Sequence, residues 1–152
     1  MLIKKQLKIG LTLLCAVLLG ACSTPQLNFR VQASDTLNAD ENGNTYAVLL
    51  RVYQLSDTDL FEQSAYEDLW KADTQILASS LVSVHEFTIE PSLSKTIEVE
   101  KEEGARYAGI VAFFRSHEGN WKAYRKINHG LIPASTQMSL TVSGSDIDLQ
   151  YR

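Results

Sequence analysis

From Leu27 onward, apolar and polar residues mostly alternate with a period of two. Leu27, Phe29, Val31 and Ala33 fall on one side and Asn28, Arg30 and Gln32 on the other, which predicts a half-buried strand. Residues 47–55 (Ala-Val-Leu-Leu-Arg-Val-Tyr-Gln-Leu) are too apolar for a strand with one wet face and read as a central strand. Residues 82–89, 96–100 and 138–142 alternate again, and Ile147, Leu149 and Tyr151 close the chain in the same way. Residues 107–114 (Tyr-Ala-Gly-Ile-Val-Ala-Phe-Phe) are apolar on both faces and predict the most buried strand. A turn at residues 116–120 leads from it into a strand over 121–127, and Ser143-Gly144-Ser145 turns the last hairpin.

One segment changes period. Phe61, Ala65 and Leu69 stand at i, i+4 and i+8, and Tyr66 and Trp70 form a second i, i+4 pair, so about 59–78 reads as a helical excursion. Residues 59–62 and 64–67 each offer a start signal with a Glu three positions on. Seven or eight short strands with regular turn signals and one helical insertion predict an all-β, two-sheet sandwich. A helix lying on the outer face of one sheet explains how residues 107–114 can be apolar on both sides.

The N-terminus is of another kind. Lys4, Lys5 and Lys8 precede an apolar stretch over 9–21, which has the length of a secretory leader and is short for a permanent span. It ends in Leu19-Gly20-Ala21-Cys22, which resembles the lipobox of bacterial lipoproteins. That pattern implies cleavage before Cys22 and a covalent lipid on its thiol, since a nucleophilic thiolate can form a thioether. One acyl chain anchors only marginally, at about 0.8 kcal/mol per buried methylene, so stable anchoring takes two or more. The alternatives are a chance cysteine at an ordinary cleavage site and a short membrane anchor. Ser23 stands where lipoproteins kept at the inner membrane commonly carry Asp, which favours the inner leaflet of the outer membrane. The expected organisation is a cleaved signal peptide over 1–21, a lipidated tether over 22–26 and a sandwich domain over 27–152.

Without residues 1–21, eleven basic residues face eighteen acidic ones, a formal charge of −7. This balance argues against nucleic acid and against a basic peripheral membrane binder, leaving the lipid as the membrane contact. Cys15 leaves with the leader and Cys22 is consumed, so no thiol remains for a disulfide.

Catalytic chemistry is hard to find. His85, His117 and His129 have no second ligand at a metal-binding spacing, and there is no phosphate loop or nucleophile elbow. The chain reads as a non-enzyme without cofactor or metal. Residues 98–103 (Glu-Val-Glu-Lys-Glu-Glu) suggest either an acidic docking face or the solvated end of a strand and its turn. Trp121 and Tyr124 suggest a carbohydrate platform or, since they fall on opposite faces of a strand, at least one core residue. The better functional candidate is the polar loop over 34–45, acidic through Asp35, Asp40 and Glu41 and carrying Leu37 as an exposed apolar residue. The competing reading is a floppy, solvated connection.

Arg51-Val-Tyr-Gln-Leu55, the helical segment from Phe61 to Leu69, Ala108-Gly-Ile-Val-Ala-Phe-Phe-Arg115 and Trp121-Lys122, in that order behind the lipobox, resemble the TssJ family. These are outer-membrane lipoproteins of the type VI secretion membrane complex, and the resemblance runs over about 27–151. It implies a transthyretin-like sandwich with added helices, no catalysis, a palmitate-type anchor at the periplasmic face of the outer membrane, and a grip on the periplasmic C-terminal domain of the inner-membrane subunit TssM. The family's loop between its first two strands takes part in that grip. By order of elements it maps here onto Asp35, Thr36, Leu37, Asn38, Ala39, Asp40, Glu41 and Asn42, although no loop motif aligns. The family's frequent Trp-Arg step is Trp121-Lys122 here. Shortening residues 34–45 to an Asn-Gly turn is expected to keep the fold and lose the partner. The rival reading is a transthyretin-like periplasmic lipoprotein carrying a small ligand or a metal.

Overall fold

The computed structural model describes residues 24–128 and 134–152, so the leader over 1–21, Cys22, Ser23 and His129 lie outside the described residues. Eight strands follow the predicted alternation: β1 (Gln26–Ala33), β2 (Val48–Leu55), β3 (Leu81–Ile89), β4 (Ser94–Glu100), β5 (Tyr107–Phe113), β6 (Lys122–Lys126), β7 (Thr136–Ser143) and β8 (Asp146–Tyr151). They form two four-stranded sheets, ordered β4-β1-β7-β8 and β3-β2-β5-β6. Every described pairing is antiparallel except β1 with β7, which is parallel, with Phe29 opposite Met138 and Val31 opposite Leu140.

The main core lies between the sheets. Leu27, Phe29 and Val31 of β1 meet Leu50 and Val52 of β2 and Ile110 and Ala112 of β5 there, all fully or almost fully buried. On the β1 sheet the alternate positions Arg30, Gln32, Glu98 and Thr141 face water, giving one dry and one wet face.

The other sheet is dry on both sides at its central strands, β2 and β5. In β2 the even positions enter the sandwich, whereas Tyr53 and Leu55 join Val111 and Phe113 of β5 in a second cluster with Phe61, Leu69 and Leu77. Those last three come from α1 (Asp59–Gln63) and α2 (Tyr66–Leu77), which cover the outer face as predicted. Gly109 permits the close fit, because a Cβ there would stand 3.0 Å from Cε2 of Phe61 and 3.2 Å from Cδ1 of Leu55.

The single predicted excursion is two helices broken at Ser64 and Ala65, and α2 kinks at Ala72 (φ −149°). Thr58 precedes α1 and donates its hydroxyl to Glu62, while Asp68 accepts the Ala65 N–H before α2. Lys122 holds the break in place. Its Nζ donates to the carbonyls of Phe61, Glu62 and Ser64 at 2.9, 2.8 and 2.7 Å and lies 4.9 Å from the Trp121 ring centre. Burial lowers the Lys122 ammonium below its ordinary range, with Glu62 opposing. Farther along the same face, Arg51 donates to Leu69 O, Asp73 and Glu86, and the Tyr53 hydroxyl donates to Asp73.

Trp121 and Tyr124 are not split between opposite faces. Trp121 lies just before β6 and packs against both clusters, and Tyr124 meets Phe61 edge-on in the helix-covered one, so both are half-buried packing residues.

Candidate docking surface

The β1–β2 loop, a turn from β5 to β6 and the β7–β8 turn converge at one end of the sandwich. Asn38 N–H donates to Gly144 O at 2.8 Å, and Asn120 N–H donates to the Asp146 carboxylate at 2.8 Å. Thr36, Asn38, Ala39, Ser116, Gly144 and Ser145 line a small cleft of about 160 Å³ between the three connections.

The loop is a built structure with a dry root and a wet tip. Leu37 is fully buried in the main core, which corrects the expectation that it is exposed. A lone Leu in a polar run carries no periodicity, so its direction was invisible in the sequence. Asn38 is also buried and adopts a left-handed backbone (φ 52°). Its side chain donates to Ala47 O at 3.1 Å and accepts the Arg115 N–H at 2.8 Å, tying the loop to the end of β5. Shortening residues 34–45 would therefore remove a core side chain and cost stability as well as the loop.

Asp40 organises the tip. Its Oδ1 accepts the backbone N–H groups of Asn42 and Asn44 at 2.9 and 2.8 Å, and its Oδ2 accepts Asn44 Nδ2 and the Tyr46 hydroxyl, both at 3.0 Å. These bonds, the Asn44 side chain foremost, lower the Asp40 carboxyl to about 2. Gly43 makes the turn with φ 81°, and Asp40 N–H donates to Asn44 O. Tyr46 lies under the Arg115 guanidinium at 4.7 Å. Asp35, Thr36, Ala39, Glu41 and Asn42 are the exposed members of the predicted set. Tyr46, Arg115 and the bracing role of Asp40 were missed. The Asp-x-Asn-Gly-Asn run over 40–44, rich in residues that bond their own backbone, was the available signal.

Behind Arg115 a groove of about 280 Å³ runs between α2 and β5, lined by Tyr66, Glu67, Trp70, Phe113, Phe114 and Arg115. His117 stacks on Tyr66 at 4.4 Å and His85 sits half-buried on β3, so the described histidines are apart. The run over 98–103 is the end of β4 and its turn, with Glu98, Glu100, Glu102 and Glu103 exposed. Among the described residues no three His, Cys, Asp or Glu side chains come together to hold a metal ion, and no helix is long and apolar enough to cross a membrane.

The family model described as "Type VI secretion lipoprotein, VasD, EvfM, TssJ, VC_A0113" matches residues 25–144. Three solved structures share the fold. The T6SS lipoprotein TssJ1 from Pseudomonas aeruginosa is 23% identical, covering 86% of this chain and 98% of that one, with a TM-score of 0.77. Serratia marcescens Lip, a membrane bound component of the type VI secretion system, is 16% identical, covering 82% and 96%, with a TM-score of 0.76. A chain from the structure of the TssM C-terminal domain (869–1107) from EAEC is 22% identical, covering 84% and 100%, with a TM-score of 0.64. No curated protein sequence matches the chain.

Proposed function

The chain belongs to the type VI secretion lipoprotein family, and from that premise we propose that it is the outer-membrane tether of a secretion membrane complex. A lipid on Cys22 holds it to the periplasmic face of the outer membrane, and the β1–β2 loop grips the periplasmic C-terminal domain of TssM. The protein works by binding alone, without catalysis, cofactor or metal. The observation that carries the grip is the loop itself: a wet, acidic tip set rigidly on a root that the core encloses. A rigid, exposed tip suits recognition, because little order remains to be gained on binding. Its acidic residues would speed docking if the facing partner surface is basic.

Two variants test the reading from opposite ends. Cys22→Ser is expected to take the protein out of the outer-membrane fraction, leaving it soluble or mislocalised; unchanged fractionation contradicts the anchor. Glu41→Arg combined with Asn42→Arg alters only exposed side chains and is expected to abolish calorimetric binding to the TssM domain. Unaltered affinity removes the tip from the interface.

A further inference from the structure

We propose that Asp40 is the positioning residue of the docking loop, fixing residues 41–44 in their binding shape before the partner arrives. This rests on the loop reading above. One carboxylate gathers four donors from three residues, two backbone and two side-chain, across the seven residues 40–46. Two of them, the N–H groups of Asn42 and Asn44, would otherwise compete for water as the chain turned at Gly43. The fourth donor, Tyr46, is in turn held under Arg115, whose N–H is bonded to Asn38. The brace therefore runs from the tip through Tyr46 to the end of β5. With both carboxylate oxygens occupied inside the loop, Asp40 has little left to offer a partner. Its neighbours Glu41 and Asn42 do the touching, and Asp40 sets where they stand. Removing it returns several residues to the flexible ensemble, and binding must then reorder them.

The test uses the lipidated full chain in detergent micelles, titrated calorimetrically with the periplasmic C-terminal domain of TssM. Asp40→Ala is expected to weaken binding by about tenfold or more through a less favourable binding entropy. In the unbound protein the amides of Asn42 and Asn44 should exchange faster, with at most a small fall in the global Tm. Asp40→Asn keeps an oxygen for the two backbone donors and should fall between parent and alanine variant. Full affinity in Asp40→Ala, beside lost binding in the Glu41→Arg, Asn42→Arg protein, overturns the positioning role and leaves the loop reading standing. Full affinity in the double-arginine protein as well overturns the loop reading and this inference with it. A Tm that falls in step with affinity also overturns it, by assigning Asp40 to the fold as a whole.

Discussion

Replacing Lys122 with Met keeps the apolar stem and removes one ammonium, leaving three carbonyls at the α1–α2 break without their shared donor. Hydrogen bonds to a charged group contribute about 1.5–3 kcal/mol each, but one partly hydrated ammonium shared by three acceptors cannot deliver three times that. The carbonyl of Glu62, an exposed residue, regains water easily, whereas Phe61 and Ser64 are buried residues, so we expect a net loss of about 2–3 kcal/mol. Unfolding entropy near 2.1 cal/mol/K per residue over the domain converts this to a Tm decrease of roughly 7–11 °C by calorimetry. Lys122→Arg keeps the charge on a planar fork and should lose about half as much. Tryptophan emission should shift at lower denaturant than backbone dichroism, because Trp121 lies beside the loosened helices. A Tm decrease below about 2 °C for the Met variant would refute the idea that this lysine fastens the helices to the sheet.

Three further outcomes follow from the same packing. Leu37→Ala should cost about 2–5 kcal/mol and lower the Tm in chemical or thermal unfolding, because the side chain is enclosed by the main core; an unchanged midpoint would show the loop root to be free. Gly109→Ala pushes a methyl to 3.0 Å from the buried Phe61 ring and should cost about 1–3 kcal/mol, a sign that reverses if the ring simply rotates away. Asp40 has its folded value lowered from 3.8 to about 2, so its support for the loop is complete above pH 3.8 and is lost as pH falls through about 2. The Asn44 side-chain amide resonance should hold its folded shift at pH 5 and move to a free-amide value near pH 2; movement already complete at pH 4 would contradict the bracing.

Much of the fold was legible because burial in a sandwich writes itself as alternation. Every predicted strand is present, and the doubly apolar run over 107–114 correctly implied a covered outer face. What the sequence hid depends on three-dimensional neighbours. Nothing in the residues 27–33 or 138–142 announces that β1 and β7 run parallel, since period two is the same for either pairing direction. The second start signal over 64–67 marked the helix break, but Phe61, Ala65 and Leu69 keep helical spacing across it, and its stabiliser, Lys122, lies 58 residues beyond Ser64. In the loop the order is reversed. Its location and exposed acids were readable, yet Leu37 looked solvent-facing and Asp40 looked like one more surface charge. Leu37 is understood only once the main core is seen to enclose it, and Asp40 only once Asn42, Asn44 and Tyr46 are seen to converge on its carboxylate.

The placement of β1 has a mechanical consequence. Cys22 lies four residues before Gln26, and the β1–β2 loop begins straight after Ala33, so under the proposed tether a pull between envelope and partner would travel along this one strand of eight residues, about 26 Å long. β1 is an interior strand, bonded on one flank to β4 and on the other to β7. Tension along its axis would load two hydrogen-bond ladders in shear, where an edge strand pulled the same way would load only one.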